Sequence, residues 1–155
     1  MLKGRCGCGD VTYQLSSEPM FVHCCHCHEC QKQTGSAYVL NAIIETDRVE
    51  VDGPVVEYTL PTPSGKGQVI SRCANCGTAV FSNYLVRMGK LRYIRVGTLD
   101  DPSQCPPDVQ IFTSSKQSWV PLNTDIPIYE NFYKFDDIWP ETSIARWRDL
   151  FDDGV

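Results

Sequence analysis

The stretch Cys73-Ala74-Asn75-Cys76-Gly77 decides the fold, because it places two thiols at the spacing of a metal chelate. In such a knuckle two thiolates converge on one ion, and the following glycine permits the turn that directs backbone amides at the sulfur atoms. A second pair with the same plan, Cys6-Gly7-Cys8-Gly9, lies near the start of the chain. The four sulfurs match a closed tetrahedral zinc site that would fasten the first strand to a central hairpin, and iron fits the same geometry.

A second, denser group of metal-binding residue types contains all three histidines of the chain. It reads His23-Cys24-Cys25-His26-Cys27-His28-Glu29-Cys30. If the chain before Cys27 is extended, side chains alternate, so that Cys25 and Cys27 share one face. Cys30 then folds back onto the same ion as the second half of a Cys-x-x-Cys chelate. The pattern predicts three thiolates and an open fourth position, at which a reactive zinc captures and deprotonates thiols.

Other interpretations of this group remain open. A histidine could complete the shell and make a second structural zinc site, the candidates being His23, His26 and His28. A disulfide between the adjacent Cys24 and Cys25 would be strained, and it would be out of place in a reducing compartment. Cys24 and Cys105 belong to neither set of proposed zinc ligands, and they make a thiol redox sensor a further hypothesis.

Length and composition narrow the classes of protein. A chain of 155 residues suits a single domain over residues 1–155. Nine cysteines are too few for a small disulfide scaffold, and an odd number cannot pair completely within the chain. A net charge of −5 has the wrong sign for a protein that binds phosphates, so we expect no nucleic-acid partner. No stretch has the length and hydropathy of a signal peptide or a membrane span, so we expect a cytoplasmic protein without a membrane partner.

Glycines and prolines separate short apolar or alternating runs, which is typical of a mainly β protein. The runs predicted as strands are Asp10–Leu15, Ala37–Ile44, Arg48–Val51, Val55–Leu60, Gln68–Arg72, Ala79–Tyr84, Leu91–Val96 and Val109–Phe112. Turn residues such as Asp52-Gly53-Pro54 connect them and predict mainly antiparallel sheets. One short amphipathic helix is predicted over Ser143–Phe151, and a helical turn ended by Gly35 is predicted over Cys30–Thr34.

Several motifs occur in an order and at spacings that a known family shares. They are Gly4–Tyr13, Cys25–Lys32, Thr34–Tyr38, Arg72–Thr78, Val96–Pro102 and Ser114–Trp119. Over residues 3–130 the chain resembles the glutathione-dependent formaldehyde-activating enzyme (GFA) family, which also includes centromere protein V. The resemblance implies a β-tent fold of two or three antiparallel sheets, stapled by a structural zinc.

The same resemblance implies roles for seven cysteines and two zinc ions per chain. The implied structural zinc ligands are Cys6, Cys8, Cys73 and Cys76, and the implied catalytic zinc ligands are Cys25, Cys27 and Cys30. This division agrees with the one obtained from spacing. Two positions depart from the family pattern: Cys24 stands where a polar residue, often Asn, is usual, and Gln110 stands where many members carry His.

The activity that gives the family its name joins glutathione to formaldehyde as S-hydroxymethylglutathione, or reverses that step, and is classed as a carbon–sulfur lyase. The resemblance therefore implies an enzyme whose partners are a glutathione-like thiol and a small aldehyde. Candidate donors to an anionic thiol are Lys32, Arg72, Arg95 and Lys116, candidate proton carriers are Glu29 and His28, and candidate pocket walls are Tyr38 and Trp119. The alternative is a zinc-stabilised binding module or a carrier of the thiol adduct, with no chemistry of its own.

Overall fold

The structure, a computed structural model, describes residues 1–62, 65–87 and 89–151. The chain is mainly β, with two sheets and few helices. It divides into two compact units. The first unit consists of Met1–Pro19 and Asn41–Pro106, and the second consists of Met20–Leu40 and the chain from Pro107 onward. The single domain expected over residues 1–155 stays a prediction.

The strands and helices are numbered in chain order. The strands are β1 (Lys3–Arg5), β2 (Thr12–Leu15), β3 (Phe21–Cys25), β4 (Val39–Glu45), β5 (Val49–Asp52), β6 (Val55–Leu60), β7 (Gln68–Cys73), β8 (Ala79–Tyr84), β9 (Leu91–Arg95) and β10 (Val109–Ile111). The α-helices are α1 (His28–Thr34), α2 (Phe135–Ile138) and α3 (Glu141–Phe151).

The first unit contains antiparallel strands. One sheet has the order β1-β2-β5, and the remaining strands of the unit follow one another in the order β4-β9-β8-β7-β6. The side chains that form its core are almost completely buried and include Ile43, Ile44, Ile70, Leu91 and Ile94. β1 ends one residue before Cys6, and β7 ends at Cys73. Each cysteine pair of the first group therefore begins where a strand stops.

The mainly β prediction is confirmed, and β6 and β8 have the predicted bounds. The other six predicted strands differ from the observed ones by one or two residues at an end. The sequence pattern does not predict β1, whose three residues are too few to show an alternation. It indicates β3 only as an extended stretch before Cys27, because cysteine and histidine mask the usual β-branched signal.

The second unit contains a parallel pair of strands, which is an exception to the predicted antiparallel pattern. β3 pairs with β10, and Cys25 lies opposite Ile111. Parallel strands need a long crossover connection instead of a hairpin turn, so no local turn signal could have predicted this pairing. All five residues of β3 are buried. The strand that ends at Cys25 is thus buried along its whole length.

Two of the helices agree with the sequence pattern. α1 begins at His28, two residues before the predicted start, and Gly35 ends it with a φ of 64° while donating its N–H to the Gln31 carbonyl at 2.8 Å. α3 extends to Phe151, so the short C-terminal helix is confirmed. No helix among the described residues is long and apolar enough to cross a membrane.

An aromatic cluster in the second unit packs against β3. The Tyr133 hydroxyl lies 2.5 Å from Nε2 of His23 and accepts a hydrogen bond from Nε1 of Trp139 at 2.6 Å. Phe21 stacks on the Trp139 ring with centroids 5.0 Å apart. Burial lowers the pKa of His23 to about 3, so its ring is neutral and Nε2 can accept the Tyr133 proton. These contacts of the C-terminal segment therefore stabilise β3, the strand that ends at Cys25.

Candidate metal centres

The four-cysteine group lies within the first unit. The sulfur atoms of Cys6, Cys8, Cys73 and Cys76 all lie within 4.8 Å of one another. The Cys6 and Cys8 sulfurs are 3.4 Å apart, and those of Cys8 and Cys73 are 3.7 Å apart. Sulfurs bound at about 2.3 Å to a tetrahedral zinc lie about 3.8 Å from one another. The group therefore fits a four-thiolate zinc ion, as its spacing in the sequence predicts.

Hydrogen bonds around this group favour its anionic form. The N–H of Val11 donates to the Cys6 sulfur at 3.3 Å. The Thr78 hydroxyl, 3.2 Å from the Cys76 sulfur, lowers the pKa of Cys76 to about 5 together with the Thr78 backbone amide. The Asn75 side chain donates to a carboxylate oxygen of Asp10 at 2.6 Å and so links the two knuckles directly. Thiolates are the form in which cysteine binds metals.

The three-cysteine group lies within the second unit, at the junction of β3 and α1. The sulfurs of Cys25, Cys27 and Cys30 all lie within 4.8 Å of one another. Cys25 is the last residue of β3, Cys27 is the N-cap of α1, and Cys30 lies in the first turn of that helix. The N–H of Cys30 donates to the Cys27 sulfur at 3.4 Å. A strand end followed by a capped helix therefore brings the three sulfurs together.

The pKa values of Cys25 and Cys27 are shifted in opposite directions. Hydrogen bonds from the Cys25 and Cys30 thiols, assisted by the backbone amides of Cys30 and Glu29, lower the pKa of Cys27 to about 2. The same contacts with Cys27 and Cys30, together with burial, raise the pKa of Cys25. The arrangement holds one thiolate at the start of a helix, where amide groups and the helix dipole stabilise negative charge. Three soft sulfur donors of this kind suit zinc.

None of the three histidines belongs to the three-cysteine group among the residues described in the structure. His23 bonds to Tyr133, and His28 is exposed. His26 is buried, with Nε2 at 3.5 Å from the Cys24 sulfur, and burial lowers its pKa. The geometry therefore favours a three-thiolate site over one that a histidine closes, and Cys24 stands outside the group as well.

The cationic side chains proposed as thiol-binding donors have other partners. Lys32 pairs with Glu29 at 3.5 Å on the exposed face of α1. The ammonium group of Lys116 donates to the Val120 carbonyl at 3.2 Å. Arg72 and Arg95 belong to the first unit. Of the four, Lys32 is the cation that stands on the same helix as Cys30.

The proposed aromatic walls do line a cavity, which lies in the second unit. Tyr38, Trp119 and Gly35 are among the residues around a space of about 600 Å³. This volume is in the range typical of small-molecule pockets. Tyr38 also contacts the buried His26 ring, with centroids 5.3 Å apart. The cavity begins where α1 ends.

The remaining positions singled out in the sequence, Gln110, Cys24 and Cys105, are all buried. Gln110 is buried in β10 and donates its side-chain N–H to the Asn123 carbonyl at 2.7 Å. Cys105 is buried, and burial raises the pKa of Cys24 to about 12. Neither cysteine has the exposed thiol typical of a redox sensor, because both are buried. The sequence motifs contain Gln31 and Ser115 but indicate no role for them, and their hydrogen bonds with each other and with the His26 carbonyl join distant parts of the chain.

The chain is similar to a known family and to solved structures. Residues 1–115 match the sequence model of the family described as glutathione-dependent formaldehyde-activating enzyme. The chain is also similar to the crystal structure of a Rhodobacter sphaeroides protein at 15% sequence identity and a TM-score of 0.49. That alignment covers 81% of this chain and 98% of the other.

Proposed function

The chain belongs to the glutathione-dependent formaldehyde-activating enzyme family, and from this premise we propose that it is a zinc-dependent enzyme of the carbon–sulfur lyase type. In this proposal it forms or cleaves the adduct of a glutathione-type thiol with formaldehyde or another small aldehyde. The observation that carries the proposal is the convergence of Cys25, Cys27 and Cys30, with no fourth protein ligand among the described residues. Together with the four-cysteine group, the three-cysteine group would bind two zinc ions per chain. The four-cysteine site would be closed, and the three-cysteine site would keep an open ligand position.

The chain itself supplies the ligand geometry for this chemistry. Zinc held by Cys25, Cys27 and Cys30 would supply a Lewis acid that lowers the pKa of a substrate thiol. The N–H of Cys30 points at the Cys27 sulfur and favours its anionic form. In the reaction the thiolate sulfur bonds to the aldehyde carbon, the carbonyl π bond breaks, and the oxygen takes up one proton. Cleavage reverses these steps and returns thiol and aldehyde.

In this proposal the rest of a tripeptide thiol lies along α1. The seven residues of this helix span about 10 Å, which is the length of an extended tripeptide. Lys32 offers a cation on the helix, and the cavity beside Tyr38 and Trp119 opens at its end.

We place the protein in a reducing compartment such as the cytoplasm, because metal-binding thiols stay reduced there. All nine cysteines are free thiols in the structure.

The decisive experiment is a calorimetric titration of the purified protein, with its zinc content measured, using glutathione and then S-methylglutathione. We expect two zinc ions per chain and binding of glutathione. The methylated analogue should bind at least about tenfold more weakly, because its sulfur has no proton to lose. Exchange spectroscopy by NMR should then show faster interconversion of formaldehyde and S-hydroxymethylglutathione with protein than without it.

The same experiment separates the alternative function. A binding module or adduct carrier would bind glutathione through the same sulfurs but leave the exchange rate unchanged. No heat of binding with glutathione or with a panel of other small thiols would contradict both the enzyme and the carrier.

A further inference from the structure

One side chain of the second unit, Gln31 in α1, ties the three-cysteine group to a distant segment of the chain. Its amide nitrogen donates to the His26 carbonyl at 2.6 Å and to the Ser115 carbonyl at 2.9 Å. Its amide oxygen accepts a hydrogen bond from Nε2 of Gln117 at 2.7 Å. Both N–H groups and the oxygen of the amide are therefore used, and the side chain is held in one orientation.

The backbone N–H and carbonyl of His26 take part in three hydrogen bonds, one of which comes from Gln31. The Ser115 hydroxyl lies 3.1 Å from the His26 carbonyl oxygen, and the His26 N–H donates to the Ile111 carbonyl at 3.0 Å. Residues 111–117 thus contact the chain on both sides of His26. Because His26 directly precedes Cys27, these bonds fix the direction in which the chain enters Cys27.

The turn in residues 111–117 contains one residue with a strained backbone conformation. Phe112 has φ 55° and ψ 38°, a left-handed conformation that non-glycine residues rarely adopt. Its N–H donates to the Asn131 carbonyl at 3.0 Å, and its carbonyl accepts from the Ser115 N–H at 3.2 Å. Such conformations persist where surrounding contacts over-determine them, often at functional sites. Here the turn brings Ser115 to the His26 carbonyl.

We propose that Gln31 is a positioning residue of the three-cysteine site, which sets the placement of Cys27 relative to Cys30. Gln31 follows Cys30 directly in α1, and its side chain reaches back to the carbonyl that precedes Cys27. The two ends of the Cys-x-x-Cys chelate are joined in this way. The inference rests on the proposed function, because it concerns the site to which thiol binding is assigned.

The test compares two variants of the full-length protein with a matched control. Gln31→Leu removes the donors and the acceptor, whereas Gln31→Glu keeps the size and the acceptor but loses both donors. Gln33→Leu makes the same change two residues further along the same helix. Outer hydrogen bonds that orient metal ligands are typically worth about 10- to 100-fold in metal affinity. We therefore expect both Gln31 variants to lose zinc from the three-cysteine site to a chelator at least about tenfold faster than wild type.

A metal-free readout accompanies the chelator assay. In protein whose three-cysteine site has been emptied by a chelator while the four-cysteine site keeps its zinc, we expect the Cys30 amide, which faces the Cys27 sulfur, to exchange its hydrogen faster in both Gln31 variants than in the control. Cobalt-substituted protein should also show a shifted ligand-field spectrum in these variants, because the sulfur positions change. The four-cysteine group is the internal standard, and its zinc should be retained equally in every variant.

The outcomes are distinct. Wild-type chelator and exchange rates in Gln31→Leu would overturn the proposal, and a wild-type Gln31→Glu would overturn the role assigned to the two donors. If Gln31→Leu does not fold, Ser115→Ala takes its place, because it removes a single donor to the His26 carbonyl and should give the same changes at smaller amplitude. A wild-type protein that holds no second zinc contradicts the proposed function, whereas the amide exchange still decides the role of Gln31.

Discussion

Cys27 differs from the two other members of its group, because it is only half-buried and caps a helix. Cys25 and Cys30 are buried on either side of it. Cys27 is therefore the member of the group that solvent reaches most easily, and in the proposed function a small thiol would approach from its side. Substitutions at single residues separate this chemical role from a structural one.

Replacing Cys27 by Ser should abolish the second metal site. The hydroxyl is a poor ligand for zinc and cannot replace the thiolate that the other two thiols and the helix start stabilise. We expect one zinc ion per chain instead of two, and no calorimetric binding of glutathione. Cys24→Ser is the matched control, since Cys24 is adjacent in sequence but outside the group, and it should keep both properties. A Cys27→Ser protein with two zinc ions and full thiol binding would contradict the assignment.

Gly53 shows where a single residue decides the backbone of the first unit. It has a φ of 107°, and a Cβ atom there would lie 2.0 Å from the carbonyl oxygen of Asp10. We expect Gly53→Ala to lower the free energy of unfolding by about 2–4 kcal/mol through strain and overlap. At Gly97, a Cβ atom would meet nothing within 4 Å, so Gly97→Ala should change little. Urea denaturation of both variants measures the difference, and equal values would refute the steric argument.

At the scale of elements, β3 depends on contacts that come from far along the chain. It pairs with β10 on one edge, and the Tyr133 hydroxyl bonds to the His23 side chain. The Ser143 hydroxyl in α3 donates to the Met20 carbonyl at 2.7 Å, just before the strand. The C-terminal segment thus supports the strand that delivers Cys25, although the family match ends at residue 115.

Tyr133→Phe tests this support. The change leaves the ring in place but removes the partner of two buried groups, His23 Nε2 and Trp139 Nε1. Because unsatisfied buried polar groups are costly, we expect the free energy of unfolding to fall by about 2–3 kcal/mol. Tyr58→Phe on the exposed strand β6 is the control and should be close to neutral. If thermal unfolding gives the same midpoint for both variants, the hydroxyl does not support β3.

The sequence predicts elements well where the signal is local. The bounds of β6 and β8 follow from short runs of strand-forming residues between turns, and α3 follows from its helical periodicity. β3 and β10 are harder to assign together, because a parallel pair has no connecting turn to mark it.

At the scale of the molecule, the four-cysteine group crosslinks the first unit. It joins the chain after β1 to the chain after β7, and Cys8 and Cys73 are 65 positions apart. Structural zinc binds small domains with about 10–16 kcal/mol, which is as large as the whole stability of a typical protein. Binding of the ion at this site should therefore be inseparable from folding of the unit.

Cys76→Ser should accordingly remove cooperative unfolding from the first unit. We expect little soluble protein and, in what is recovered, no sharp thermal transition. Cys30→Ser is the comparison, because it also removes one thiolate but from the three-cysteine group, and it should keep a cooperative transition. Differential scanning calorimetry measures both. A Cys76→Ser protein with the wild-type transition would show that the group is not a structural zinc site.

The sequence alone determined which cysteines form chelates, because chelate spacing is a local property that any compatible fold must respect, whereas the fold brings the two distant pairs together as a group of four. The tertiary structure decided which other residues reach those groups. Among the described residues it placed His23, His26 and His28 outside the three-cysteine group, and it brought Gln31 to Ser115 across 84 positions of sequence. Contacts between residues so far apart in the sequence depend on how strands and turns pack together. No periodicity or motif in the sequence indicates them.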